Sequence, residues 1–129
     1  LSTLKTEGKL ILVFPTGTRY RPWAPETGRA VREIDSYIKS FSKMCLVSIN
    51  GNILRISESK DMTDDLLCKD TVIYEASEPI SCEDFRNRVK HEHHHHIVED
   101  RKQAVADAIM AGLAQLHAQV AATLPPSEA

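Results

Sequence analysis

KLILVFPTGTRYRPW, residues Lys9–Trp23, is the stretch on which the predicted fold depends. Its first part, Leu10–Phe14, is an unbroken apolar run rich in β-branched residues, which is typical of a strand buried on both faces. Pro15 ends this strand because it has no N–H group to give to a sheet. We therefore predict an α/β fold: a partial open sheet of three to five mostly parallel strands, with flanking helices and a long C-terminal helix.

A hydroxyl and two guanidiniums follow the predicted strand. Gly17 can adopt backbone angles that other residues avoid, and it lets a ligand approach the main chain closely. Thr18, Arg19 and Arg21 come at the carboxyl end of the strand, which is where open α/β sheets bind ligands. Arginine binds phosphate oxygens bidentately and stays charged at any working pH. These residues predict a phosphate-binding corner at Gly17, Thr18 and Arg19, with Thr16 and Arg21 as further candidates.

The hexapeptide Phe14–Arg19, FPTGTR, resembles a motif of the glycerolipid acyltransferase superfamily, which includes the lysophosphatidate and glycerol-3-phosphate acyltransferases. The family motif is Phe-Pro-Glu-Gly-Thr-Arg, usually followed by serine. Thr16 stands where the family has a carboxylate, and Tyr20 stands where it usually has serine. Further along the chain, Glu78-Pro79-Ile80 is similar to the exit of a later strand in the family.

The resemblance implies a role in phospholipid synthesis. The whole enzyme would move an acyl chain from acyl-CoA or acyl-carrier protein, its co-substrate, to a hydroxyl of lysophosphatidate or glycerol 3-phosphate. It would act at the cytoplasmic face of the inner membrane. Gly17, Thr18 and Arg19 would hold the acceptor phosphate. The membrane surface is therefore an expected partner, and a homo-oligomer is another, because association would cover the apolar faces of an incomplete sheet.

The catalytic base of the family is a histidine in a His-x-x-x-x-Asp motif that precedes the phosphate motif. No histidine precedes Leu10, so we expect this chain to be the C-terminal part of a longer enzyme and to be inactive alone. His95 and Asp100 match the spacing literally but lie far downstream. On a continuous helix their side chains would point about 140° apart. We therefore assign no catalytic residue within this chain.

Two alternatives to an enzyme fragment stay open. The first is a non-catalytic module that binds a phosphate or a lipid headgroup, which the loss of the carboxylate at Thr16 favours. The second is a metal-binding assembly domain built on the histidine tract and the last helix. Clustered imidazoles bind zinc or nickel readily. A dedicated site also needs a defined ligand set, so we predict no metal cofactor and only adventitious affinity at His93, His94, His95 and His96.

Length and composition agree with one globular domain. The 129 residues are 42% apolar and 26% charged, and the net charge of −2 gives no field that favours nucleic acid. No apolar run approaches the roughly 18 residues of a membrane span. Three cysteines without CxxC spacing fit a reducing compartment. We treat residues 1–129 as a single domain, with the sheet and its helices over 9–90 and a long amphipathic helix over 97–125.

Helices and strands alternate in the rest of the sequence. A helix is predicted over Arg29–Phe41, where apolar residues recur at spacings of three and four, and a longer one over Glu99–Leu124 by the same criterion. Ser81 is the expected N-cap of a third helix. Strands are predicted over Met44–Ile49 and Thr71–Tyr74. Between them, a turn at Asn50-Gly51 either folds Ile53–Ile56 back as a hairpin or redirects the chain. Asp61–Lys69 is predicted to be a loop or a helical turn, and Leu1–Gly8 is predicted to be a lead-in.

Overall fold

The computed structural model of this protein describes residues 2–59, 61–92 and 98–123. The described residues form four α-helices: α1 Ser2–Thr6, α2 Ile34–Ser40, α3 Cys82–Glu92 and α4 Val98–Ala121. They also form six short strands: β1 Lys43–Met44, β2 Val47–Asn50, β3 Leu54–Arg55, β4 Leu66–Leu67, β5 Ile73–Ala76 and β6 Ile80–Ser81. Short 3-10 helices lie at Pro25–Gly28 and Met62–Asp64.

The strands pair two by two, and each of the pairs β1–β6, β2–β5 and β3–β4 is antiparallel. The prediction of a mostly parallel open sheet is therefore wrong. Parallel neighbours need a crossover connection, usually a helix, between them. The connection from β2 to β5 instead holds the hairpin β3–β4, so β5 returns beside β2 in the opposite direction. Within the described chain, no parallel pair is formed.

The apolar run Leu10–Phe14 forms no strand, so the predicted strand buried on both faces is also wrong. Leu10, Leu12 and Phe14 are 100%, 75% and 66% exposed. Val13 packs partly against the core. Burial of both faces requires a sheet neighbour on each edge and a packed layer on each side. In the described residues, the run packs against the core on one side only, and no strand pairs with it.

The core lies where α2, α3 and α4 pack against one another. The amphipathic pattern predicted over Glu99–Leu124 is confirmed by α4, although Leu124 lies outside the described residues. Val105 and Ile109 are buried on its inner face. The residues of the buried cluster are Ala30, Ile34, Ile38, Cys82, Phe85, Val89, Val105, Ala106 and Ile109.

Two predicted helix starts differ in how well they agree with the structure. The helix predicted over Arg29–Phe41 begins five residues late, at Ile34; before it, the backbone N–H of Val31 donates to the Pro15 carbonyl. The N-cap prediction at Ser81 is confirmed: its hydroxyl accepts a hydrogen bond of 3.3 Å from the N–H of Asp84 at the start of α3.

Strand β2 buries its polar side. Ser48 and Asn50 are its buried residues, whereas Val47 and Ile49 are about half exposed. Helix α4 packs against this strand. After β2, Gly51 adopts φ +135° and sends the chain away, so the predicted turn redirects the chain and does not make a hairpin with β2.

Candidate functional site

The predicted phosphate corner begins with a tight turn. The N–H of Gly17 donates to the Phe14 carbonyl at 3.0 Å, and Gly17 has φ +68°, which a glycine adopts at low energetic cost. A Cβ atom placed on Gly17 would meet nothing within 4 Å, so its backbone faces open space. The Thr16 hydroxyl donates to the Thr18 carbonyl at 2.6 Å. The Thr18 side chain is exposed and has no hydrogen-bond partner among the described residues.

Arg19 is bonded to the protein itself. Its Nη1 lies 2.6 Å from Oδ2 of Asp65, and its Nη2 donates to the Leu54 carbonyl at 2.8 Å. The Arg19 side chain is nevertheless 35% exposed, so solvent reaches part of the guanidinium. Arg19 therefore connects the turn to the β3–β4 hairpin and also presents a cation at the surface.

Arg21 lies deeper in the same cluster. Its Nη1 lies 3.3 Å from the same Oδ2 atom of Asp65, and its guanidinium lies 5.7 Å from the centre of the Trp23 ring. The backbone is held by Thr27, whose hydroxyl accepts from the Arg21 N–H and donates to the Ala24 carbonyl, both at 2.7 Å. Nη2 of Arg21 is buried and has no hydrogen-bond partner among the described residues.

Asp65 is the residue that organises this cluster. Its side chain is 1% exposed, and its Oδ1 accepts a hydrogen bond of 3.0 Å from the N–H of Ser57. That hydrogen bond holds the pKa of the Asp65 carboxyl below its usual value, with further lowering from Arg19 and Arg21, and it outweighs the opposing effect of burial. One carboxylate thus faces two guanidiniums, which leaves one positive charge among the three groups.

The outcome for the predicted site is mixed. The structure brings Arg19 and Arg21 together, but it does so on a carboxylate of the same chain. Gly17 and Thr18 lie in the exposed turn before them. Asp65 was not predicted. It lies 46 residues from Arg19 within an acidic segment, and neither its spacing nor its neighbours distinguishes it from Asp61 or Asp64.

No family model, curated protein or solved structure matches this chain. The resemblance to glycerolipid acyltransferases therefore rests on Phe14–Arg19 and on Glu78–Ile80. Among the helices that the structure describes, none is both long enough and apolar enough to cross a bilayer.

The predicted site of adventitious metal affinity lies in the histidine tract. His93–His96 lie outside the described residues, as does His95 of the literal His-x-x-x-x-Asp match. Within the ranges that the structure describes, no three His, Cys, Asp or Glu side chains are grouped so as to hold a metal ion. Of the described histidines, His91 lies at the end of α3 and His117 on an exposed position of α4.

A separate cleft lies between β5 and the last turns of α4. Its volume is about 260 Å³, and none of the predicted site residues lines it. Near it, the side-chain atoms Oγ of Ser48 and Nδ2 of Asn50 on the neighbouring strand β2 are buried without a hydrogen-bond partner in the described chain. The lining residues are Ile73, Glu75, Leu116, Gln119, Val120 and Thr123.

Proposed function

We propose that this chain binds a phosphate group at the corner formed by Gly17, Thr18 and Arg19, as the acceptor-binding part of a glycerolipid acyltransferase. The observation that carries the proposal is the guanidinium of Arg19, which is partly exposed next to a turn whose backbone faces open space. Phosphate oxygens suit a guanidinium and a free hydroxyl, such as that of Thr18. The antiparallel sheets give this proposal no support, so it rests on the motif and on the corner.

The acceptor would be glycerol 3-phosphate or lysophosphatidate, and the acyl donor would be acyl-CoA or acyl-carrier protein. Binding must take place in competition with Asp65 and the Leu54 carbonyl, which already use both terminal nitrogens of Arg19. A phosphate monoester carries up to two negative charges and three strong acceptor oxygens. It can therefore share or replace those contacts more effectively than a carboxylate ligand.

A non-catalytic phosphate-binding module is the second candidate. One observation favours it: the phosphate corner needs only residues that this chain holds, whereas acyl transfer also needs a base at the acceptor hydroxyl. The described histidines, His91 and His117, lie on α3 and α4 and not on the corner. The module would recognise the same phosphate group, free or as part of a lipid headgroup.

Calorimetric titration with glycerol 3-phosphate tests the binding site. We expect Arg19→Ala to weaken binding by about tenfold or more, which is the factor for one charge-assisted hydrogen bond. Arg29→Ala is the matched control, because Arg29 also pairs with a carboxylate, that of Asp107, but lies on the exposed surface. Equal loss in both variants, or no binding by the unaltered chain, would refute the proposal.

The acyl donor separates the two candidates. If the chain is part of an acyltransferase, acyl-CoA or acyl-carrier protein should bind beside the acceptor, and donor and acceptor should change each other's affinity by the same factor. A non-catalytic module should bind glycerol 3-phosphate with an affinity that saturating acyl-CoA leaves unchanged. The readout is the calorimetric dissociation constant with and without the donor.

A further inference from the structure

The β3–β4 hairpin is attached to the rest of the protein mainly through polar contacts. We call the described residues 53–59 and 61–68, which include both strands, the hairpin arm. Neither strand packs extensively on another helix or strand of the described chain. Four of its apolar side chains are exposed and Ile56 is partly buried; the exposed ones are Ile53, Leu54, Leu66 and Leu67.

The contacts that hold the hairpin arm converge on the phosphate corner. Arg19 donates to the Leu54 carbonyl on β3, and both Arg19 and Arg21 bind the Asp65 carboxylate just before β4. The N–H of Ser57 donates to the other oxygen of that carboxylate. Asp65 therefore fixes the fold of the arm's own loop and its position on the corner at the same time.

The electrostatic balance of the cluster leaves room for a further anion. Two guanidiniums face one carboxylate, and Nη2 of Arg21 is buried without a hydrogen-bond partner in the described chain. An unpaired buried donor on a charged group is energetically unfavourable. A ligand with several acceptor oxygens would satisfy this donor, whereas the Asp65 carboxylate alone does not.

We infer that Asp65 is an internal competitor for the anion site, and that a phosphate monoester bound by Arg19 and Arg21 displaces it and releases the hairpin arm. This inference rests on the proposed phosphate-binding function and adds a way in which that binding is regulated. Binding begins at Arg19, which solvent reaches. It then extends to Arg21, whose Nη1 loses its carboxylate partner when Asp65 is displaced.

Hydrogen exchange on the unaltered chain tests the release directly. We expect saturating glycerol 3-phosphate to speed amide exchange in peptides covering residues 53–68 and to leave the core helices α3 and α4 unchanged. Sodium chloride at equal ionic strength is the control for simple screening of the ion pairs. Inorganic phosphate as a second ligand distinguishes recognition of a free phosphate from recognition of the glycerol ester.

The variant Asp65→Asn tests the competition. It keeps the shape of the side chain and removes its charge, so we expect it to bind glycerol 3-phosphate at least about tenfold more tightly than the unaltered chain. Asp107→Asn is the matched control, because it removes a carboxylate paired with the exposed Arg29. Circular dichroism establishes whether Asp65→Asn is folded; the exchange experiment on the unaltered chain does not depend on it.

The outcomes separate this inference from the proposed function. Arg19-dependent binding without faster exchange in residues 53–68, and without tighter binding by Asp65→Asn, would overturn the inference while leaving the phosphate site intact. Absence of binding by the unaltered chain would overturn the two together. Faster exchange in the arm with tighter binding by the variant would support both.

Discussion

Two arginine–carboxylate pairs in this protein have the same chemistry and different surroundings. Arg86 contacts both oxygens of Asp35, at 2.9 and 3.4 Å, and both side chains are largely buried between α2 and α3. Arg29 contacts Asp107 at 3.3 Å, and about half or more of each side chain is exposed. Burial decides how much the loss of one partner lowers the free energy of unfolding, because water cannot replace the lost partner of a buried charge.

Asp35→Ala should destabilise the protein strongly because it leaves Arg86 buried without its carboxylate. We expect a loss of about 3–5 kcal/mol in the free energy of unfolding, measured by urea denaturation. Asp107→Ala is the control and should leave the unfolding midpoint nearly unchanged. Replacing both partners, in Asp35→Leu with Arg86→Met, should recover most of the loss. Similar effects of Asp35→Ala and Asp107→Ala would contradict this account.

Helices and caps could be predicted from the sequence because their signals are local. The stripe that contains Val105 and Ile109 needs only the helical period, and the Ser81 cap needs only a hydroxyl before the first turn. Strand pairing depends on residues far apart in the chain. The run Leu10–Phe14 has the composition of a buried strand, yet no neighbouring strand in the described chain pairs with it.

The same distinction applies to the candidate site. The exposed turn at Gly17 and the position of Arg19 after it follow from adjacent residues, and both could be expected from the hexapeptide. The pairing of Arg19 with Asp65 joins residues 46 positions apart. Nothing in the spacing of the acidic segment predicts which of its carboxylates folds back onto the corner.

Gly51, between β2 and β3, allows the chain to turn sharply past the start of β5. It has φ +135°, and a Cβ atom there would lie 2.7 Å from the Thr71 carbonyl oxygen. Gly51→Ala should therefore combine backbone strain with a collision against backbone that cannot move freely. Gly8→Ala is the control, because Gly8 also has positive φ but open space around it.

We expect Gly8→Ala to lower the free energy of unfolding by about 1–2 kcal/mol, the cost of the left-handed conformation. Gly51→Ala should lower it by roughly 1–3 kcal/mol more, as overpacked sites do. Chemical denaturation of the two variants in parallel measures the difference. Equal destabilisation would mean that the turn relaxes and that the close approach to Thr71 is not a constraint.

In the part of the chain that the structure describes, apolar surface is uncovered on the hairpin arm and also in two further places. The first is the run Leu10–Phe14, in which alternate side chains are exposed. The second is the face of the β2–β5 sheet that carries Val47, Ile49 and Tyr74, where Ile49 and Tyr74 are directly opposite each other. Because large exposed apolar patches mark sites of association, we predict that a partner covers these residues. A homo-oligomer is the simplest assembly that would cover them.

Self-association should therefore increase with protein concentration and depend on the apolar run. Leu10 is fully exposed and Leu12 is 75% exposed, so replacing both with glutamate removes little packing and should change the stability of the single chain by about 0.5 kcal/mol or less. We expect Leu10→Glu with Leu12→Glu to shift the weight-average mass in sedimentation toward that of one chain. Leu66→Glu with Leu67→Glu, on the exposed β4, is the control that adds the same two negative charges. If the control reduces association as much as Leu10→Glu with Leu12→Glu does, net charge and not the apolar run governs assembly.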